Sequence, residues 1–289
     1  MNLKRLYIEI TNICNLNCSF CSPLKREKRF MTLNEIEHIL KEFNDFKCHI
    51  YPHIKGEPLC HPEFYQIVSL FSKYEKPLNI TTNGVLISKY TDILLNGARQ
   101  VNISVHSLLD GQIKETDKYL NDIILFGILA KERKKPNVSY RLWTESENES
   151  IRNESMNIIK IISDVFGVDI KEEIKKGRNA IKLSENVYIS LMNKFSWPDI
   201  NDKSIRTSGN CLGAKEMLGI LADGTVVPCC LDADGVINLG NIFKESIIDI
   251  LNSERFLKLN EGFLGGKLSE PLCQKCTFYN SRKGNLTRN

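Results

Sequence analysis

Three cysteines near the start of the chain have the spacing of a metal-binding loop. Cys14, Cys18 and Cys21 form the pattern Cys-x3-Cys-x2-Cys. An apolar residue at every second position from 6 to 10 predicts a β-strand directly before them, so the thiols lie on the loop that leaves its carboxyl end. Thiolates are the usual ligands of iron–sulfur clusters, and three of them on a 4Fe–4S cluster leave one iron open. An open metal position is typical of a site that does chemistry.

Two simpler interpretations of this loop are a zinc site and a set of buried free thiols. Zinc sites usually show Cys-x2-Cys pairs with a fourth ligand nearby. No His or Cys follows closely after Cys21. The spacing therefore favours an iron–sulfur cluster over zinc.

The cysteine loop resembles the signature of the radical SAM enzymes. That signature also has an aromatic residue directly before the third cysteine, and Phe20 is in that position. The resemblance implies that Cys14, Cys18 and Cys21 hold a 4Fe–4S cluster. Its open iron would bind S-adenosylmethionine (AdoMet) through the amino and carboxylate groups of the cofactor.

A second motif follows the second predicted strand. Gly56, Glu57 and Pro58 resemble the end of the Gly-Gly-Glu-Pro element that receives the amino group of AdoMet in this family. The first glycine of that element is Lys55 in this chain, which is a departure from the pattern. A sharp Gly turn with a carboxylate and a proline is also compatible with an ordinary strand-to-helix turn.

Further cofactor contacts are predicted at the ends of later strands. The resemblance places Asn83 and Ser104 near the ribose and the methionyl carboxylate. The family often has an arginine in the next helix, but Leu120 stands roughly at that point. We therefore expect Arg141, on the fifth strand, to bind the carboxylate, and the alternative is a surface arginine on a strand edge.

The first two-thirds of the chain alternates strand and helix patterns. Such a series indicates an α/β fold with a parallel sheet and outer helices. The radical SAM resemblance implies a partial (β/α)6 TIM-like barrel, with a weakly patterned sixth strand near 187–191. Thr32 and Glu35 predict a capping box at the start of the first helix, and one helix is predicted from Ser246 to about Asn260.

A second cysteine set follows the barrel. Its spacing, Cys-x12-Gly-x4-Cys and then Cys-x2-Cys, resembles the SPASM domain in its shorter "twitch" form, which holds one auxiliary 4Fe–4S cluster. The predicted ligands are Cys211, Cys229, Cys273 and Cys276. Cys230 could replace Cys229, although the Gly-x4-Cys spacing favours Cys229. A structural zinc site has the same ligand count and stays open as an alternative.

These patterns predict three regions along the chain. We expect the radical SAM partial barrel over 1–207, a small α+β cluster-binding domain over 208–280 and a polar tail over 281–289. The Asp-Gly dipeptide before Thr225 predicts a hairpin inside the second region.

The composition of the chain limits its expected location and partners. The chain has 289 residues, ten cysteines and a net charge of +4. No apolar run is long enough to span a membrane, and no signal-peptide core is seen, so we expect a cytoplasmic protein whose cysteines bind metal rather than form disulfides. A net charge of +4 is too small to indicate a nucleic-acid-binding protein. The basic run 25–29 is interpreted as solvated surface, or as a contact for an acidic partner.

The resemblance implies an enzyme that reductively cleaves AdoMet to a 5′-deoxyadenosyl radical, which abstracts hydrogen from a substrate. We expect a peptide or protein substrate, attacked at a side-chain or backbone carbon, and an electron donor of the ferredoxin or flavodoxin type. The alternatives are a radical SAM enzyme acting on a small metabolite or nucleoside, and a non-catalytic iron–sulfur or zinc-binding scaffold or sensor. No catalytic residue beyond the cofactor sites is predicted.

Overall fold

The chain forms two compact units. The computed structural model describes residues 2–143, 149–194, 196–203 and 205–278. The first unit comprises Met1–Cys14, Phe20–Pro77 and Phe195–Asn289, and the second comprises Asn15–Ser19 and Leu78–Lys194. The predicted boundary at 207/208 stays a prediction, and the predicted polar tail lies outside the described residues.

The first unit is built on a four-stranded sheet in the order β2-β1-β8-β9. Its strands are β1 (Arg5–Ile8), β2 (His49–Tyr51), β8 (Met217–Ile220) and β9 (Val226–Val227). Both β2 and β8 are parallel to β1, while β9 is antiparallel to β8 and forms the predicted hairpin with it. The pairing of β8 with β1 was not predicted, because the hairpin had been assigned to a separate small domain.

The described residues of this unit also form the helices α1 (Leu33–Glu42), α2 (Phe64–Lys73), α7 (Ile247–Asn252), α8 (Glu254–Leu264) and α9 (Pro271–Lys275). The predicted capping box is confirmed, since Thr32 and Glu35 bond to one another's backbone N–H groups. The single helix predicted from Ser246 is wrong. Ser253 has an extended backbone and its side chain accepts a hydrogen bond from Phe256 N, so it ends α7 and caps α8.

The second unit is built on a five-stranded sheet in the order β3-β4-β5-β7-β6. Its strands are β3 (Asn79–Thr82), β4 (Gln100–Ser104), β5 (Asn137–Trp143), β6 (Ala180–Lys182) and β7 (Val187–Met192). All neighbouring pairs are parallel except β6 and β7. The helices are α3 (Thr91–Gly97), α4 (Thr116–Arg133), α5 (Glu149–Val165) and α6 (Ile170–Lys175).

The two faces of this sheet differ in chemistry. Tyr140 is fully buried on one face, and its hydroxyl donates to Ile123 O of α4 at 2.9 Å. Alternation along β5 puts Ser139 and Arg141 on the opposite face. Register pairs Ser104, Arg141 and Ser190 across β4, β5 and β7. A helix therefore covers one face, and the other carries a polar row.

The strand–helix alternation predicted from the sequence is confirmed, including the strand near 187–191. The weakly patterned stretch before it contains α6 and β6, which were not predicted. These elements are short, so their apolar residues do not complete a period that a sequence pattern could show. Among the described residues, no helix is long and apolar enough to cross a membrane.

Candidate functional site

The base of the first cysteine loop is closed by hydrogen bonds. Thr11 Oγ1 donates to Arg29 O at 3.0 Å, and Asn12 Nδ2 donates to Glu27 O at 2.7 Å. Arg29 N in turn donates to Asn12 Oδ1 at 2.9 Å. Thr11 and Asn12, the polar residues that follow β1, therefore hold the two ends of the loop together.

The Gly56 turn packs directly against the entrance of this loop. Gly56 has a φ of +75°, and a Cβ built on it would lie 2.5 Å from Thr11 O. Glu57 N donates to Ile13 O at 2.9 Å. A residue with a side chain would be strained and would collide with backbone, so only glycine allows this approach. The two motifs singled out in the sequence are thereby brought together.

Glu57 is buried, with 2% of its surface exposed. One of its carboxylate oxygens accepts a hydrogen bond from Leu59 N at 3.1 Å. Pro58 begins the short 3-10 turn Pro58–Cys60. The turn and the proline hold the carboxylate in one orientation, which is what a cofactor-binding carboxylate needs.

Sequence reasoning missed a buried carboxylate at Glu9. Its oxygens accept hydrogen bonds from Arg26 Nη2 at 2.7 Å, Lys55 N at 3.1 Å and Ala222 N at 2.9 Å. Burial raises the pKa of Glu9, and the Arg26 guanidinium opposes that rise. This ion pair joins the cysteine loop, the Gly56 turn and the hairpin. The sequence did offer one signal of this carboxylate, because Glu9 directly follows β1 and stands between the apolar residues Ile8 and Ile10.

Arg26 is therefore not part of a solvated surface. Besides Glu9 it binds Ala233 O through Nε at 2.9 Å, and only 13% of its side chain is exposed. Lys25 forms an ion pair with Asp234 at 3.2 Å. The contacts of Arg26 correct its interpretation as solvated surface, whereas the Lys25 side chain is 68% exposed, as predicted.

Residues 15–19 of the cysteine loop are held within the second unit. Asn83 Nδ2 donates to Asn15 Oδ1 at 2.8 Å. Ser19 N donates to the Asp110 carboxylate at 3.0 Å, and Asn17 N donates to Gln112 Oε1 at 2.6 Å. Predicted as a cofactor contact, Asn83 orients the segment that contains Cys18.

Ser104 and Arg141 are register partners on the polar face of the second sheet. Next to them, the rings of His106 and Trp143 stack at 4.1 Å between centroids, and Arg141 O lies 3.2 Å from His106 Nδ1. Burial lowers the pKa of His106 to about 4. The imidazole is neutral at physiological pH and donates to the carbonyl from Nδ1. An aromatic pair and a cation thus lie at the carboxyl ends of adjacent strands.

The C-terminal cysteines line one cavity within the first unit. Its volume is about 160 Å³, and its walls include Cys211, Cys229, Cys230, Cys273 and Cys276. Burial raises the pKa of the Cys229 and Cys273 thiols, and the neighbouring thiols raise it further. Thiols that oppose one another's ionisation need a cationic centre to hold them as thiolates.

Adjacent Cys229 and Cys230 have different neighbours. The Cys229 thiol is close enough to those of Cys211 and Cys273 for their charges to interact. The Cys230 side chain forms a hydrogen bond with Tyr7 of β1. Gly213 N donates to Cys211 Sγ at 3.3 Å, and a Cβ at Gly213 would lie 3.5 Å from Cys229 Cβ. These contacts favour Cys229 as the ligand.

The C-terminal cysteines line one shared cavity, which is compatible with a multi-iron cluster held by several thiolates.

Two family models match the chain. Residues 8–144 match the model described as the Radical SAM superfamily, and residues 211–277 match SPASM, described as an iron-sulfur cluster-binding domain. The first match includes the cysteine loop and the Gly56 turn. The second covers the whole C-terminal cysteine set.

Several curated relatives are GTP 3′,8-cyclases. That of Aquifex aeolicus (strain VF5) is 36% identical over 115 residues, 37% of this chain and 36% of the relative. That of Alkaliphilus oremlandii (strain OhILAs) is 34% identical over 121 residues, 39% of this chain and 38% of the relative. The chain thus aligns with little more than a third of their length. A probable GTP 3′,8-cyclase of Methanococcus maripaludis is 22% identical, over 83% of this chain and 89% of the relative.

Several solved structures share the fold. BtrN in complex with AdoMet and 2-DOIA gives a TM-score of 0.63 at 17% identity, covering 95% of this chain and 93% of BtrN. Streptococcus suis SuiB bound to precursor peptide SuiA gives 0.61 at 18% identity, covering 97% and 71%. AnSMEcpe with bound AdoMet gives 0.62 at 17% identity, covering 98% and 88%.

These likenesses confirm the predicted α/β fold class, with the parallel sheets of these enzymes. Membership of the matched families implies AdoMet, a 4Fe–4S cluster and an auxiliary iron–sulfur cluster as cofactors, and the donor sets described above fit them. The chain belongs to the radical SAM superfamily and carries a C-terminal SPASM iron–sulfur cluster-binding domain.

Proposed function

We propose that this chain is a radical SAM enzyme that acts on a small metabolite, with a nucleotide as the first candidate. The relatives named GTP 3′,8-cyclase support this alternative over the peptide substrate expected from the sequence. Because the chain aligns with only part of those relatives, the substrate is a proposal that rests on similarity and on the chemistry of the second sheet.

The packing of Gly56 against Thr11 is the observation that carries the enzyme class. It sets a predicted AdoMet-binding turn against the entrance of the cysteine loop. We assign the first cluster to Cys14, Cys18 and Cys21, with Phe20 beside the third thiol. A scaffold that only held metal would have no need of this turn.

Cys14, Cys18 and Cys21 would hold the cluster, which with bound AdoMet would supply one-electron radical chemistry for removing hydrogen from a substrate carbon. The chain's own groups bind and orient the cofactor. The backbone of Gly56 and the fixed Glu57 carboxylate receive the amino group of the cofactor, and Pro58 keeps the turn rigid. Arg141 offers its guanidinium to a carboxylate, and Ser104 offers a hydroxyl beside it.

The polar row on the second sheet supports a small, polar substrate or cofactor group. Ser139 Oγ and Ser190 Oγ lie 2.7 Å apart, and the Lys194 ammonium lies 5.9 Å from the Trp143 ring centre. Hydroxyl groups, two cations and an indole are groups that bind a planar, anionic molecule such as a nucleotide.

A peptide substrate remains the second candidate. Two of the structures that share the fold, SuiB and anSMEcpe, have been solved with peptides. The electron donor would be a ferredoxin or a flavodoxin, as the family needs a reductant. Because Arg26 is largely buried and bound to Glu9 and Ala233 O, the donor surface is not assigned to it.

The test begins with anaerobic reconstitution and a count of iron and sulfide. About eight irons per chain are expected from two 4Fe–4S clusters. Dithionite and AdoMet are then added, with GTP, other nucleotides or a peptide mixture, and 5′-deoxyadenosine is measured. Faster formation with a nucleotide, together with a new nucleotide product, supports the proposal. Stimulation by peptides alone would favour the second candidate, and no cleavage with full clusters would favour a scaffold.

Glu57→Gln tests the cofactor site. An amide oxygen can still accept from Leu59 N, so the local turn is kept while the charge is lost. We expect the Kd for AdoMet to rise at least tenfold with unchanged iron. Glu63→Gln is the matched control, because its side chain makes no capping hydrogen bond at α2. Equal affinities in the wild type and Glu57→Gln would remove Glu57 from the site.

A further inference from the structure

Lys55 stands where the family pattern has a glycine, and its side chain makes specific contacts. Only 5% of its surface is exposed. Its ammonium donates to Pro23 O at 2.9 Å and also to Ser22 O. These two carbonyls directly follow Cys21, so the lysine binds the segment that leaves the third cysteine.

The rest of the residue is held equally firmly. Lys55 N donates to Glu9 Oε1 at 3.1 Å, and the ammonium lies 5.5 Å from the centre of the Trp197 ring. The position of the charge is therefore determined by carbonyl oxygens, an aromatic face and the backbone. A lysine held in this way cannot move its charge freely toward solvent.

The charges around this ammonium belong to Cys21, Asp234, Glu9 and Arg26. Burial lowers the pKa of Lys55, and the negative charge of Cys21 opposes that shift. The ammonium binds the carbonyls of the two residues that follow Cys21, so its positive charge lies close to the third cysteine, in a site where the dielectric is lower than in water.

We propose that Lys55 is a positioning residue that anchors the exit of the cysteine loop and raises the reduction potential of the cluster held there. Reduction adds a negative charge to the cluster, and a fixed cation beside one of its thiolates stabilises that reduced state. A glycine at position 55 would supply neither the anchor nor the charge. The inference rests on the proposed function, because it takes Cys21 as a cluster ligand.

The experiment compares Lys55→Gln, Lys55→Arg and the wild type, each reconstituted anaerobically. Glutamine keeps amide donors for the two carbonyls but has no charge, and arginine keeps both. Midpoint potentials are measured by EPR-monitored redox titration. The signal that changes on addition of AdoMet reports the first cluster, and the other signal is an internal reference. Lys25→Gln is the control, since Lys25 lies in the same loop but is 68% exposed and faces Asp234.

We expect iron content to be equal in all four proteins. The potential of the AdoMet-sensitive cluster should be lower in Lys55→Gln, near the wild-type value in Lys55→Arg, and unchanged in Lys25→Gln. The auxiliary potential should be the same throughout.

Equal potentials in Lys55→Gln and the wild type would overturn the inference. Iron loss from either Lys55 variant would overturn the claim that Lys55 sets the potential, since the lysine would then only anchor the loop. An equal shift of the midpoint potential in Lys25→Gln would also overturn the inference, because the shift would then come from general surface charge and not from Lys55. If the wild type itself holds no AdoMet-sensitive cluster, the proposed function is wrong. This outcome is distinct from equal potentials, which contradict only the role of Lys55.

Discussion

The carbonyl oxygen of Thr11 occupies the space that a side chain on Gly56 would need. An ideal Cβ at Gly56 would lie 2.5 Å from that oxygen and 2.8 Å from the carbonyl carbon of Asn12. Both partners are backbone atoms, so neither can rotate away. The Gly56 turn is therefore packed tightly on the backbone of Thr11 and Asn12 at the entrance of the cysteine loop, although some forty residues separate them in the sequence.

Gly56→Ala should weaken AdoMet binding and lower stability together. The left-handed backbone costs an alanine roughly 1–2 kcal/mol, and the collision adds about 1–3 kcal/mol. Gly111→Ala is the matched control, because Gly111 has a φ of +70° and nothing within 4 Å of its Cβ position. Chemical denaturation and AdoMet titration check both variants. Equal losses in the two would show that the contact with Thr11 has no importance.

Cys229→Ser and Cys230→Ser should differ in iron content. Loss of the Cys229 thiolate removes one of four ligands, so about half of the iron should be lost with the auxiliary cluster. Cys230→Ser keeps a hydroxyl that can bond to Tyr7 and should retain all the iron. Iron and zinc are measured together by elemental analysis. Retention of iron in Cys229→Ser with loss in Cys230→Ser would reverse the assignment, and zinc in place of iron would revive the zinc alternative.

His106 should make the stability of the protein depend on pH. Its pKa is lowered to about 4 from 6.5 by burial. A depressed folded-state pKa contributes stability that is present above pH 6.5 and lost as pH falls through 4. The loss should be at most roughly 3 kcal/mol. His106→Phe, which can still stack on Trp143, should show none of it.

Unfolding free energies of the wild type and His106→Phe, measured between pH 7 and pH 4, check this sign. The difference between them isolates His106, because acid effects on the clusters are common to both proteins. A difference that stays constant with pH would mean that the histidine does not titrate over this window.

Asp110→Ala should weaken the hold on the segment that contains Cys18. The Asp110 carboxylate accepts hydrogen bonds from Ser19 N at 3.0 Å and from Ser19 Oγ at 2.5 Å. Bonds to a charged acceptor contribute about 1.5–3 kcal/mol each when protected, and less at this exposed position. We expect faster loss of iron from the first cluster during chelator challenge. Asp122→Ala, which removes an exposed partner of Lys118, should behave as the wild type. Equal rates of iron loss in all three proteins would contradict the prediction.

The sequence alone determined the two cysteine sets and the alternation of strands and helices in the first two-thirds of the chain. The Cys-x3-Cys-x2-Cys spacing, the Gly-Glu-Pro turn and the alternating patterns are local features, and each predicts the structure of its own short segment. For that reason the strand near 187–191 and the capping box at Thr32 were predicted and confirmed. The two cysteine sets were likewise recognised from spacing, and the family matches support both.

Only the tertiary structure decided which distant groups meet. The pairing of β8 with β1, the ion pair of Glu9 with Arg26 and the contact of Lys55 with the carbonyls after Cys21 each join segments far apart in sequence. No local pattern encodes such contacts, because burial, steric fit and charge compensation act between surfaces that exist only after folding. The departure at Lys55 was visible in the sequence, but its physical reason lies in the loop that its ammonium reaches.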